Sequence, residues 1–333
     1  MKKLRIFNKW VLILVCCAFA GLSASDSSAA ITPISPFQAE ALPDPNPPVA
    51  IYSSSIAYYN NYLIYAGSDK KIYGYNLATS ESLVINDTSS LSLAPQGFLV
   101  STDNYLYFHD NAVTSNIYRL QLSHTWPVPT SETLDTGITS AIFAFTQNPW
   151  TKTIWFSSSD YFGTGDNFYL YEIDAAFTKA TLRSSFPKKD KDNSGNGPII
   201  FENETTLLYG ESVYLEDGYF HQVNTTTGTR VQENYLIFAG GLGDATYGYN
   251  KRIYVTSGAG KTIFELRGSA DPLAIGTTDN EARGITFGDD NFYISEMVPF
   301  SDGDDDGKIS FSSFALIKGT RLINILPLLL LNN

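Results

Sequence analysis

Residues 72–77 read IYGYNL, and a run of the same kind returns five more times. It recurs as IYRLQL at 117–122, FYLYEI at 168–173, YFHQVN at 219–224, IFELRG at 263–268 and ISFSSF at 309–314. The steps are 45, 51, 51, 44 and 46 residues. Ahead of each lies a second run: LIYAG from Leu63, LYFHD from Leu106, IWFSS from Ile154, LLYGE from Leu207, IYVTS from Ile253 and FYISE from Phe292. A third run comes before that, in which a small residue leads into apolar ones: IAYY, GFLV, AIFAF, PIIF, ATYGY and GITF. Stretches such as ESLVI and GTRVQ, after the recurrent run, supply a fourth strand. Asn, Asp, Gly and Ser punctuate the runs, and none keeps a 3.6-residue period.

Four short strands per ~47 residues is the period of a β-propeller blade. The expectation is an all-β chain, a six-bladed β-propeller of four-stranded blades. A lone blade leaves both faces wet, and stacking around an axis buries them, which accounts for 21 Tyr and 21 Phe. An irregular β-sandwich gives regular strands but no reason for a three-strand motif to recur in register. The segments GSDKKIYGYNLATSE and GYFHQVNTTTGTRV resemble the repeats of six-bladed propellers of the NHL, YWTD and quinoprotein-like groups, over about residues 51 to 316. The Tyr-Trp-Thr-Asp tetrad and the quinoprotein Trp position are missing, so the resemblance implies fold and not activity.

The flanks read differently. MKKLRIFNKW is basic, VLILVCCAFAGL apolar and SASDSSAA small, the order of a secretory signal peptide over residues 1–25, cleaved between 24 and 30. Processing as a lipoprotein at Cys16 or Cys17 is the alternative. Residues 26–48 carry Pro33, Pro36, Pro43, Pro45, Pro47 and Pro48 and read as an extended linker, with the folded domain, 49–333, beginning near Val49. The tail GTRLINILPLLLLNN has an apolar stretch from Leu322 to Leu331, too short to span a bilayer. It is read as a closing strand against Val49 to Ser53, or as a docking segment for a membrane or partner. Localisation is then secreted, periplasmic or cell surface.

The chain has 22 basic and 34 acidic residues. The leader holds four of the basic ones and both cysteines, so the remainder stands at 18 against 34, a net charge of −16, without Cys. That excludes disulfides and a thiol nucleophile, and it disfavours nucleic acid. The sharpest local motif is SDGDDDGKIS, residues 301–310. Asp302, Asp304 and Asp306 alternate before Gly307, with the Lys308 carbonyl and Ser310 at the seventh and ninth positions, which is how a short loop wraps calcium. It resembles the D-x-D-x-D-G loop, but Ser313 replaces the bidentate Glu at the twelfth position. A weaker copy offers Asp190, Asp192 and Ser194, after Lys188 and Lys189, which oppose a cation. A third feature is positional. Asp69, Asp110, Asp160, Glu211 and Glu296 end the second strand of five repeats, where a ring of carboxylates on one rim would attract a metal ion or cationic ligand. Ordinary turn chemistry also favours Asp there.

Catalytic residues are not assigned. His109, His124 and His221 lack metal-ligand spacing, no Gly-x-Ser-x-Gly elbow occurs, and His109–Asp110 is the only adjacent His–acid pair. Neighbours on a strand face opposite ways, which argues against a dyad there. Neither nucleotide, haem nor zinc is expected. The expected function is an exported, calcium-stabilised binding or surface-interaction module, monomeric, with an unknown protein or glycan partner. The alternative is an extracellular hydrolase or lyase acting on carbohydrate or lactone through channel or rim carboxylates.

Overall fold

The computed structural model describes residues 37–43, 45, 55–110, 116–123, 125–160, 165–190, 194–213, 217–257, 261–278, 280–298 and 308–316. The leader, the 302–306 loop, Asp192 and the apolar tail lie outside them.

A strand β1 (Phe37–Ala41) comes first. Five four-stranded antiparallel sheets of consecutive strands follow. They are β2 (Ala57–Tyr59), β3 (Tyr62–Ala66), β4 (Lys71–Asn76) and β5 (Ser82–Asp87); β6 (Gln96–Val100), β7 (Tyr105–His109), β8 (Asn116–Gln121) and β9 (Glu132–Asp135). Next come β10 (Ala141–Gln147), β11 (Ile154–Ser159), β12 (Asn167–Ile173) and β13 (Ala180–Pro187), then β14 (Ser194–Asn203), β15 (Thr206–Val213), β16 (Gly218–Asn224) and β17 (Thr229–Phe238). The fifth sheet is β18 (Ala245–Tyr247), β19 (Ile253–Ser257), β20 (Thr262–Arg267) and β21 (Ala270–Thr277). The chain ends in β22 (Glu281–Gly288), β23 (Asn291–Val298) and β24 (Lys308–Leu316). These three make a sheet with β1, in the order β1-β24-β23-β22. Five blades are therefore continuous in sequence, and the remaining four-stranded sheet is composite.

The first strands of successive sheets touch in a closed circuit: β2, β6, β10, β14, β18, β22 and back to β2. Side chains of β3 show why such a ring holds. Successive residues point to opposite faces of a strand. Ile64 and Ala66 join the cluster shared with the second sheet, Phe108 and Leu120 among its members. Leu63 and Tyr65 face the other way, into a cluster with Tyr293 of the composite sheet. Both faces of each second strand are buried, which is why these runs are apolar almost throughout. Each such side chain taken from water contributes roughly 2 kcal/mol. Tight two-residue hairpins join β2 to β3 and β22 to β23, with left-handed pairs at Asn60–Asn61 and Asp289–Asp290.

The sequence pattern puts Phe37–Ala41 in the linker, yet it forms a strand paired with β24, Phe37 opposite Leu316 and Ala41 opposite Ser312. The closing strand expected at Val49 to Ser53, against the apolar tail, falls outside the described residues; among these, residues 37–41 close the composite sheet on β24. Ala and Glu make poor strand formers, and tertiary pairing with an open sheet edge overrides that weak preference.

Candidate functional site

Of the five acids expected on the rim, Asp110 and Asp160 directly follow β7 and β11, Asp69 lies three residues beyond β3, and Glu211 and Glu296 lie inside β15 and β23; neighbouring groups tie them individually. Asp69 accepts from the Tyr73 hydroxyl at 2.8 Å and pairs with Lys71 at 3.1 Å. Burial raises its carboxyl, and these partners outweigh burial and leave it below the usual range. Asp110 and Asp160 accept from Tyr118 and Tyr169, each at 3.2 Å. Glu296 accepts from the Asn280 backbone at 3.1 Å.

Glu211 has a partner that sequence reasoning missed. Nε2 of His221 lies 2.8 Å from its carboxylate, and both side chains are fully buried. The His221 Nδ1 accepts from the Asn234 N–H at 3.1 Å, so the proton sits on Nε2 and is donated to Glu211. Burial raises the Glu211 carboxyl, but His221, Ser194 and the Lys189 N–H outweigh it and hold it low. The two residues are ten apart in sequence and meet across paired strands, which adjacency counting does not detect. At the weaker calcium candidate, the Ser194 hydroxyl accepts from the Asp190 N–H at 3.0 Å. Lys188 donates to the Asp160 carbonyl at 2.8 Å, and the Lys189 ammonium sits 3.4 Å from the Tyr219 ring centre. His109 is buried against Phe145, with its pKa pushed down to about 4 by burial. Asp110 accepts from Tyr118, while the His109 Nε2 lies 3.4 Å from the Phe143 carbonyl.

None of the five rim acids lines the cavity on the axis. That cavity holds about 230 Å³ and is walled by the starts of the six inner strands, Ser55, Gly97, Phe143, Asn196, Asp244 and Arg283 among them. The register explains its shape. Bulges interrupt β6 between Gln96 and Leu99, β10 between Ile142 and Phe145, β14 between Asn196 and Ile199, and β22 between Ala282 and Gly284. A bulge re-aims side chains and loosens pairing, here at the same level of four sheets. Gly97 has φ +66°, and a Cβ there would stand 2.8 Å from the His109 ring.

Asp244 and Arg283 bring charge to this wall, and the sequence reading singles out neither. The Asp244 carboxylate accepts from Ala245 N at 2.8 Å and from Ile285 N of the next sheet at 3.3 Å. Ser55 does the same one sheet pair away, accepting from Phe98 N at 2.7 Å, so Asp244 occupies an equivalent stitching position. Burial pushes the Asp244 carboxyl up to about 6 against the pull of its two backbone donors. Arg283 pairs with Glu281, while its buried Nε has no acceptor. The Asn196 Oδ1 accepts from the Tyr209 hydroxyl and its buried Nδ2 has no partner. A second chamber of about 320 Å³ continues along the axis past Phe98, Phe145 and Asp244, and its wall mixes Val100, Ile199 and Ile285 with Thr102, Gln147 and Lys152. The available signal was the residue just before the small–apolar run, where charge appears only in the fifth and sixth repeats. Among the described residues, no group of three or more His, Cys, Asp or Glu is placed to hold a metal ion.

Solved structures of like shape fix the architecture. An aldose sugar dehydrogenase from Streptomyces coelicolor, solved with PQQ bound, superposes at TM-score 0.60 with 12% identity, over 85% of this chain and 100% of its own. A gluconolactonase from Xanthomonas campestris gives 0.59 at 12%, over 87% and 93%. A virginiamycin B lyase from Staphylococcus aureus gives 0.54 at 14%, over 84% and 100%. The fold is a β-propeller. At these identities the likeness is one of fold alone. No protein-family model matches the sequence, and no curated protein does.

Proposed function

We propose that this propeller is an exported binding module that seats a small polar ligand in its axial cavity. One observation carries the reading: Asn196, Asp244 and Arg283, from three different sheets, line one cavity and bring an amide, a carboxyl and a guanidinium to its wall. A few polar and charged groups converging on a concave wall are what orients a small ligand there. The rim acids already have partners within the structure and make a poorer site. Export rests on the leader, and a surface partner, protein or glycan, remains part of the same proposal. Thermal unfolding against a panel of small polar metabolites tests the cavity: a ligand should raise the midpoint of the native chain and not that of Asp244→Leu, which removes the carboxyl from the wall. A panel that moves neither protein would sink the reading.

Calcium at Asp302, Asp304 and Asp306, with the Lys308 carbonyl and Ser310, belongs to this proposal as a stabilising element. Melting in millimolar calcium should exceed melting in excess chelator by several degrees, and Asp304→Asn should erase the difference. Equal midpoints would remove calcium from the account.

A second reading is a hydrolase or lyase acting on carbohydrate or lactone. It is favoured by the Asp244 carboxyl near 6, a value suited to passing protons near neutral pH. Its test is turnover on lactone and glycan substrates, abolished by Asp244→Asn.

A further inference from the structure

We infer that the axial ligand is a small organic cation, a primary ammonium, whose charge pairs with Asp244. This deepens the cavity reading above and rests on it. Asp244 is half-buried and lines both axial chambers. Its two oxygens each accept one backbone N–H, from Ala245 and from Ile285. An ionised carboxylate offers about four acceptor positions, so roughly two are left. Among the described residues no basic side chain forms an ion pair with it. Ser55 shows that the stitch between sheets needs no charge, because its hydroxyl does for Phe98 N what Asp244 does for Ile285 N. The carboxylate is therefore a charge that burial penalises and the stitch does not require, and functional sites are where such costs are kept.

The rest of the first chamber suits a cation. Its basic residue, Arg283, has its charge offset by Glu281, and Lys152 borders the second chamber only. Phe98, Phe143 and Phe145 line the first chamber, and the face of an aromatic ring attracts an ammonium. Phe143 is half-buried and belongs to none of the described apolar clusters. The Gln96 amide on the same wall adds a neutral acceptor. Acceptors of this kind want N–H donors, which a primary ammonium has and a quaternary one lacks. The excess of acids over bases beyond the leader adds a negative field that draws cations in.

Calorimetric titration of the full chain at pH 8, where Asp244 is ionised, tests this with two matched pairs: benzylamine against benzyl alcohol, and cyclohexylamine against cyclohexanol. Within each pair only the ammonium is exchanged for a hydroxyl. At least one amine should bind tenfold or more tighter than its alcohol, and Asp244→Asn should abolish that preference. Asp244→Ser, which gives the fifth sheet the hydroxyl that Ser55 supplies to the first, should do the same and serves if Asp244→Asn does not fold. Equal binding within both pairs, or a preference that survives both substitutions, overturns the cation inference and leaves the cavity reading standing. Binding by none of the four compounds also overturns the cation inference, and the cavity reading then answers to its own metabolite panel.

Discussion

Asp244 is where proton concentration acts most directly on this ring. Its carboxyl titrates at about 6 in the fold against 3.8 in an open chain. Between those values the folded protein binds more protons than the unfolded one, so this group's contribution falls as pH rises and is fully unfavourable above about 6. Asp244→Asn keeps one acceptor oxygen and removes the charge. It should raise the melting midpoint at pH 8 more than at pH 4, and an equal increment at both would contradict burial as the cause. His109 works in the opposite sense. Its pKa is depressed from 6.5 to about 4, so its contribution grows with pH over the same window. In the Asp244→Asn variant, the rise in stability from pH 4 to 6 should therefore be steeper than in the parent chain.

Strands, turns and bulges were unequally legible. IYGYNL and its copies announced themselves because strand alternation and turn residues are local properties, and five continuous blades followed from them. The bulges left little trace: a small residue before an apolar run looks the same whether or not the register slips there. Glu211 and His221 meet through cross-strand pairing, so their contact depends on a register that no single run encodes. β1 has no repeat to compare it with and is flanked by proline. The Asp–Tyr pairs are clearer in retrospect, since the recurrent run has Tyr at its second position in IYGYNL, IYRLQL and FYLYEI, each after an Asp. A tyrosine hydroxyl on a partly buried carboxylate is worth about 1 kcal/mol. Tyr169→Phe should lower the denaturation midpoint accordingly, with an unchanged slope against denaturant. A substitution that costs nothing would show the pair to be incidental.

At the scale of the molecule, the composite sheet decides whether the ring stays shut. β1 covers the outer edge of β24, and without it that edge offers a row of unpaired backbone groups. A chain lacking residues 37–41 should melt lower and self-associate, seen by calorimetry and sedimentation. Unaltered melting of a monomer would mean that the other five sheets suffice. The same pairing sets an order in time. Residue 41 must wait for residue 312, roughly 270 residues downstream, whereas the other sheets close through neighbouring hairpins. At ~5–20 residues per second of synthesis, β1 spends roughly 15 to 55 s without its partner. The first described strand to be made is thus among the last to be used, and the newborn chain carries through most of its synthesis a short, unclaimed strand that any other edge is free to capture.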